Sequence, residues 1–243
     1  MSEIQIGLLI FPRMTQLDMT GPFEVFARIP NAKVHLVWKR IEPVQSDTGL
    51  MILPTTTLDD CPKLDVICVP GGPGQIDLME DAEVIEFVRH QGEQAQYVTS
   101  VCTGALVLGA AGLLRGYKAA THWASMDNLE HFGAQAVATR VCTDRNRITG
   151  GGVTAGIDFG LVVASILANR ATAEKIQLSM EYNPAPPFDS GSPENAPPEV
   201  LAAFEETARP MLTRRKEVTL RAAQNLKARP PAVKHDLRAA SVP

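Results

Sequence analysis

Short runs of β-branched and apolar residues alternate along this chain with longer segments whose apolar positions recur at helical spacing. That alternation points to an α/β architecture, a mostly parallel sheet wrapped by helices. The runs at 4–11, 34–38, 66–70, 97–100, 118–121 and 147–149 are predicted strands, 44–54 a small antiparallel hairpin, and 136–142 one further short strand. Helical spacing marks 22–28, 82–92, 103–111, 125–132 and 155–169, the first opening with Pro22 at the favoured first helical position. The helix at 155–169 is apolar or small on nearly every face (Ile157, Leu161, Val162, Val163, Ile166), so it is expected between other elements, close to the core. Six prolines within 182–198 exclude regular structure and mark a long surface excursion. Helical spacing returns over 198–227, where Pro210 is expected to kink or split the helix.

With 243 residues, 45% of them apolar, and a mass of 26.3 kDa, one sizeable core in one domain is the default expectation. No run of about 18 apolar residues suits a membrane span. The opening MSEIQIGLLIF carries Glu3 where a signal peptide is basic, and it reads as a buried first strand of a cytoplasmic protein. Cys61, Cys68, Cys102 and Cys142 lie far apart, with no CxxC pair and no paired histidines nearby. Neither a zinc site nor a redox motif is suggested, and without export the thiols are expected to stay reduced. The net charge of −4 conceals an asymmetry, because residues 209–243 hold nine Lys or Arg against two acidic residues. Such a tail is either a nucleic-acid contact or, more plainly, a solvated helix face followed by a loose end at Pro230 and Pro231.

Candidate chemistry concentrates where strands end. In YVTSVCTGALVLGAAGLL a β-rich run stops at Val101 and a helix begins just after Cys102, the outline of a nucleophile elbow. A thiol there is exposed above the sheet at the positive end of a helix, which lowers its pKa. The bland alternative, a small buried apolar cysteine, suits Cys61, Cys68 and Cys142 better. In DVICVPGGPG a buried strand runs into Gly71 and Gly72, whose freedom lets backbone N–H groups turn toward a site as an anion hole requires, although a glycine pair is often just a turn. Asp18, in TQLDMTGPFEVF, lies between the first strand and the helix opened by Pro22. It is either an ordinary turn or capping residue, or a carboxyl pushed toward its protonated form by a neighbouring thiolate. Glu24 is the competing carboxylate. Thr103 offers first-turn stabilisation or a catalytic hydroxyl, and His122, in ATHW, a base for Cys102 or a structural ring.

The strings SVCTGALVLGAAGLLRGYKAATHW, VPGGPG, LDMTGPFEVF and GGGVTAGIDFG resemble the ThiJ/PfpI superfamily over about residues 4–182. The resemblance implies a flavodoxin-like three-layer sandwich of the class I glutamine-amidotransferase-like kind. Residues 1–182 then form the catalytic domain, and 183–243 a loop, helix and tail packed on it or on a dimer partner. Within the superfamily the chain is most similar to the isonitrile (isocyanide) hydratases, which convert R–N≡C and water to an N-substituted formamide as homodimers without metal or organic cofactor. That likeness implies Cys102 as nucleophile, Asp18 as the essential acidic residue and Thr103 as the essential hydroxyl. Many relatives carry a Glu early in the chain, and the Asp in LDMTGPFEVF is the hydratase version. On this reading Cys102 forms a thioimidate, Asp18 handles protons, and Gly71, Gly72 and Thr103 orient adduct or water, while the role of His122 stays open.

The same strings also resemble the sensor half of AraC-type transcription regulators. Those carry a helix-turn-helix region of about a hundred residues after the core, whereas some sixty Pro-interrupted residues follow Tyr182 here, so no nucleic-acid partner is expected. A glyoxalase-like or oxidation-sensing thiol protein is the third possibility.

Overall fold

The run after Glu3 forms strand β1 (Ile4–Leu9), whose last four residues are buried. A strand covered on both faces is apolar throughout rather than alternating. The structure is a computed structural model and describes residues 3–228. From β1 the chain enters helix α1 (Gln16–Phe26), strand β2 (Ala32–Trp38), the hairpin of β3 (Val44–Gln45) and β4 (Met51–Ile52), and the edge strand β5 (Thr56–Thr57). After β6 (Val66–Val69) come α2 (Gln75–Leu78) and α3 (Ala82–Gln94), then β7 (Tyr97–Val101) and α4 (Gly104–Ala110). β8 (Lys118–Ala119), α5 (Met126–Glu130) and β9 (Gln135–Ala136) lead to the hairpin of β10 (Val141–Asp144) and β11 (Arg147–Gly150). Helices α6 (Ala155–Leu167), α7 (Arg170–Ser179) and α8 (Pro198–Lys227) complete the fold.

Seven strands pair in the order β10-β11-β7-β6-β1-β2-β5, all parallel except β10 with β11. Helices α1, α6 and α7 pack together, while α2, α3, α5 and α8 gather around α4, which gives the flavodoxin-like three-layer sandwich. The chain steps from β1 outward to β2, then returns to β6 on the other side of β1. That reversal opens a crevice at the carboxyl ends of β1 and β6, where open α/β sheets place their ligands.

Several elements differ from the sequence pattern. Helix α1 begins at Gln16, so Pro22 lies inside it and Asp18 in its first turn rather than in a preceding loop. Pro22 has no amide to give the Asp18 carbonyl one turn back, a loss the Asp18–Pro22 spacing confines to one bond. The predicted strand at 118–121 shrinks to β8, which pairs with β9 in a separate two-stranded sheet. Helix α8 runs unbroken through Pro210, which faces solvent. Helices α2 and α7 have no counterpart among the predicted elements. Pro230 and Pro231 lie outside the described residues. Among the described residues no helix is long and apolar enough to cross a membrane.

Candidate active site

Cys102 sits between β7 and α4 with φ +54°, the left-handed region that disfavours side chains. Its neighbours hold it there. The Cys102 N–H donates to the Gly150 carbonyl at 3.1 Å, and the Cys102 carbonyl accepts from the Thr121 hydroxyl at 2.8 Å. Two residues on, a Cβ at Gly104 would overlap the Val69 carbonyl oxygen, so only glycine lets α4 start this close to the end of β6. The elbow inferred from the sequence is therefore present, with Cys102 5% exposed.

The carboxyl of Asp18 reaches the same crevice from α1 and is fully buried. Its Oδ2 accepts the Gly71 N–H at 2.8 Å, while Oδ1 has no conventional hydrogen-bond partner and the Cys102 thiol interacts with the carboxyl. The Thr103 hydroxyl accepts the Gly72 N–H at 3.1 Å. A Cβ at Gly71 would lie 2.5 Å from Thr103 N, 2.7 Å from its Oγ1 and 2.8 Å from Asp18 Oδ2, so this glycine lets three elements meet. Both amides expected to face an adduct are thus engaged in holding the acid and the hydroxyl. Thr103 itself is the N-cap residue of α4, but its side chain makes no cap hydrogen bond and turns to the Gly72 loop instead. Glu24 is remote from this chemistry, paired with Arg28 at 2.6 Å on the surface.

Burial dominates the electrostatics. Desolvation raises the Asp18 pKa to about 7, against the Gly71 N–H, which favours the carboxylate. Burial and the Asp18 charge push the Cys102 thiol well above its usual range, opposed by the Thr103 N–H and the charge of Arg215. The low thiol pKa expected of an elbow is therefore corrected. A helix end of seven residues does not offset a nearly closed pocket shared with a carboxyl. The pair instead stores a proton at neutral pH, between a sulfur and an oxygen that can each release it.

His122 serves elsewhere in the described structure. Its Nδ1 accepts the Ala124 N–H at 3.3 Å, capping the short turn at Trp123–Ser125. Its ring lies 5.6 Å from Trp123 and 6.4 Å from Phe204 of α8, and burial and Arg215 lower its pKa, which keeps it neutral. Sequence reasoning missed Thr121, Gln75, Ser125 and Arg215. Of these only Thr121 had a local signal, being part of the ATHW string beside His122. Among the described residues no group of three or more His, Cys, Asp or Glu is gathered to hold a metal ion.

Comparison with known proteins agrees with this geometry. The DJ-1/PfpI family model matches residues 5–166. The chain is 57% identical over 226 residues to the isonitrile hydratase of Pseudomonas putida, covering 93% of this chain and 99% of that one. It is 38% identical over 165 residues to the HTH-type transcriptional regulator GbdR of Pseudomonas aeruginosa, covering 64% of this chain but 44% of the regulator. A crystal structure of a ThiJ/PfpI family protein from Pseudomonas syringae superposes with a TM-score of 0.88 at 45% identity, covering 90% of this chain and 91% of that one.

Proposed function

This chain belongs to the DJ-1/PfpI family, and from that premise we propose that it is an isonitrile hydratase, adding water to R–N≡C to give an N-substituted formamide. The observation that carries the reading is a buried carboxyl, its pKa raised to about 7, set against an elbow cysteine.

An isonitrile carbon is soft and electrophilic, and sulfur is a matching nucleophile. Asp18 takes the thiol proton as the sulfur attacks and delivers it to the same carbon, so the C–S and C–H bonds form together and R–N=CH–S–Cys102 results. Thr103 orients a water, Asp18 accepts one of its protons, and the oxygen attacks the thioimidate carbon. Collapse of the tetrahedral adduct breaks the C–S bond, returns a proton to sulfur through Asp18, and leaves R–NH–CHO. One water is consumed and the pair ends as it began. Gly71 and Gly72 act by fixing the acid and the hydroxyl, and His122, with Trp123 and Phe204, forms an aromatic wall for the R group.

No metal or organic cofactor enters this scheme. The protein works in the cytoplasm as a homodimer, with residues 1–182 as the catalytic domain and 183–243 packed on it or on the partner; exposed Leu178 and Phe188 support a covered surface there. Formamide release from a simple alkyl or aryl isonitrile, followed by NMR, tests the reaction. Wild type is expected to turn over and Cys102→Ala to fall to the uncatalysed rate; undiminished turnover by that variant refutes the mechanism.

A further inference from the structure

Helix α8 carries a guanidinium into the interior beside the elbow. Arg215 is 3% exposed, with Nε donating to Gln75 Oε1 at 3.0 Å, one terminal nitrogen to Ser125 Oγ at 3.0 Å and the other to Met211 Sδ at 3.6 Å. All three acceptors are neutral, and among the described residues Arg215 enters no ion pair. A buried charge ordinarily persists with a partner of opposite sign.

The two oxygen contacts tie together the loops that frame the thiol. Gln75 opens α2 directly after Gly71–Gly74, the turn whose amides hold Asp18 and Thr103. Ser125 ends the short turn that comes after Thr121, whose hydroxyl holds the Cys102 carbonyl. One planar fork therefore spans both sides of the elbow, a geometry that an ammonium cannot reproduce.

We propose that Arg215 is a positioning residue of this site, clamping the two loops around Cys102 and supplying the positive charge against which its thiolate forms. The proposal rests on Cys102 being the nucleophile.

The other charged and titratable groups around the thiol do not supply that charge. Asp18 on α1 is negative when ionised and raises the thiol, and Asp47 acts on Asp18 in the same sense. Cys68 on β6 is held protonated, pushed up to about 12 by burial. His122 is kept neutral. Arg215 acts in the opposite direction and is itself favoured as a cation by the thiolate.

Alkylation of Cys102 by iodoacetamide across pH, read by mass spectrometry of the peptide that bears it in the full chain, reports thiolate formation without needing turnover. Its outcome is therefore separate from that of the isonitrile assay. Arg215→Met replaces a buried charge by a side chain of similar length, a change that folds often tolerate, and Arg215→Gln is the second variant should the first not fold. Both are expected to move the alkylation midpoint to higher pH, slowing the reaction at neutral pH about tenfold for each unit of movement. Arg215→Lys keeps the charge and loses the fork, so its midpoint stays near wild type while kcat for formamide release falls. An unmoved midpoint in the folded Met or Gln variant, or an equal rise in the Lys variant, overturns the proposal.

Discussion

Holding Cys102 at φ +54° costs about 1 kcal/mol or more, and Asp18 adds a second local cost by being buried with a neighbour that competes for its proton. The second cost is measurable because it depends on pH. Between 3.8 and about 7 the folded protein binds a proton at Asp18 that the unfolded chain does not, so stability from this group is lost as pH rises across that window. Asp18→Asn removes the dependence and can keep the Gly71 N–H contact through its carbonyl. We expect the variant to melt higher than wild type at about pH 8, by an amount on the order of a few kcal/mol at most, with the difference shrinking toward about pH 4. Its formamide turnover should fall by at least about 100-fold. Calorimetry that finds the variant less stable at the alkaline end contradicts this account of the carboxyl. Cys102 was legible in the sequence because strand, nucleophile and helix are consecutive there. The Asp18 residue was legible as a candidate, but its burial was not, since that depends on Gly71 arriving from 53 positions away.

Helix α1 carries that carboxyl, and its placement is set by how closely it meets α6. A Cβ at Gly156 would come 3.1 Å from Pro22 Cδ, one at Gly160 3.1 Å from Val25 Cβ, and one at Gly21 3.3 Å from Ile157 Cγ1. Glycines on both sides of the seam let the two helices approach nearly to backbone contact. Gly160→Val should destabilise the fold by about 1–3 kcal/mol through overpacking and lower kcat by shifting the first turn of α1. Denaturant unfolding paired with kinetics checks it, and a loss of stability with unchanged kcat would detach the seam from the site. The all-round apolar composition of 155–169 announced α6, because a helix packed on several faces shows it in every direction. Pro22 misled as a start signal, since the helix is already under way at Gln16, Leu17 and Asp18. Helix α7 buries only Ala173 and Ile176, too thin a stripe to read as periodic.

At the scale of the molecule, the parallel core emerged from alternating strand and helix signals, and the crevice from strand order. What no local pattern could reveal is the contribution of α8, because Arg215 lies 140 positions from Gln75 and 90 from Ser125. The same region bears on assembly. Leu178 and Phe188 are 82% and 80% exposed, an unfavourable display for an isolated subunit. Light scattering is expected to give a mass of about twice 26.3 kDa, and Leu178→Glu combined with Phe188→Glu to reduce it toward that value; a wild-type monomer refutes the dimer. The reach of α8 also has a temporal side. Translation delivers the carboxyl and the sulfur first, and the guanidinium more than a hundred residues later. A nascent chain still attached to the ribosome thus exposes an immature thiol that its own last helix has yet to complete, which defers reactivity until synthesis is nearly over.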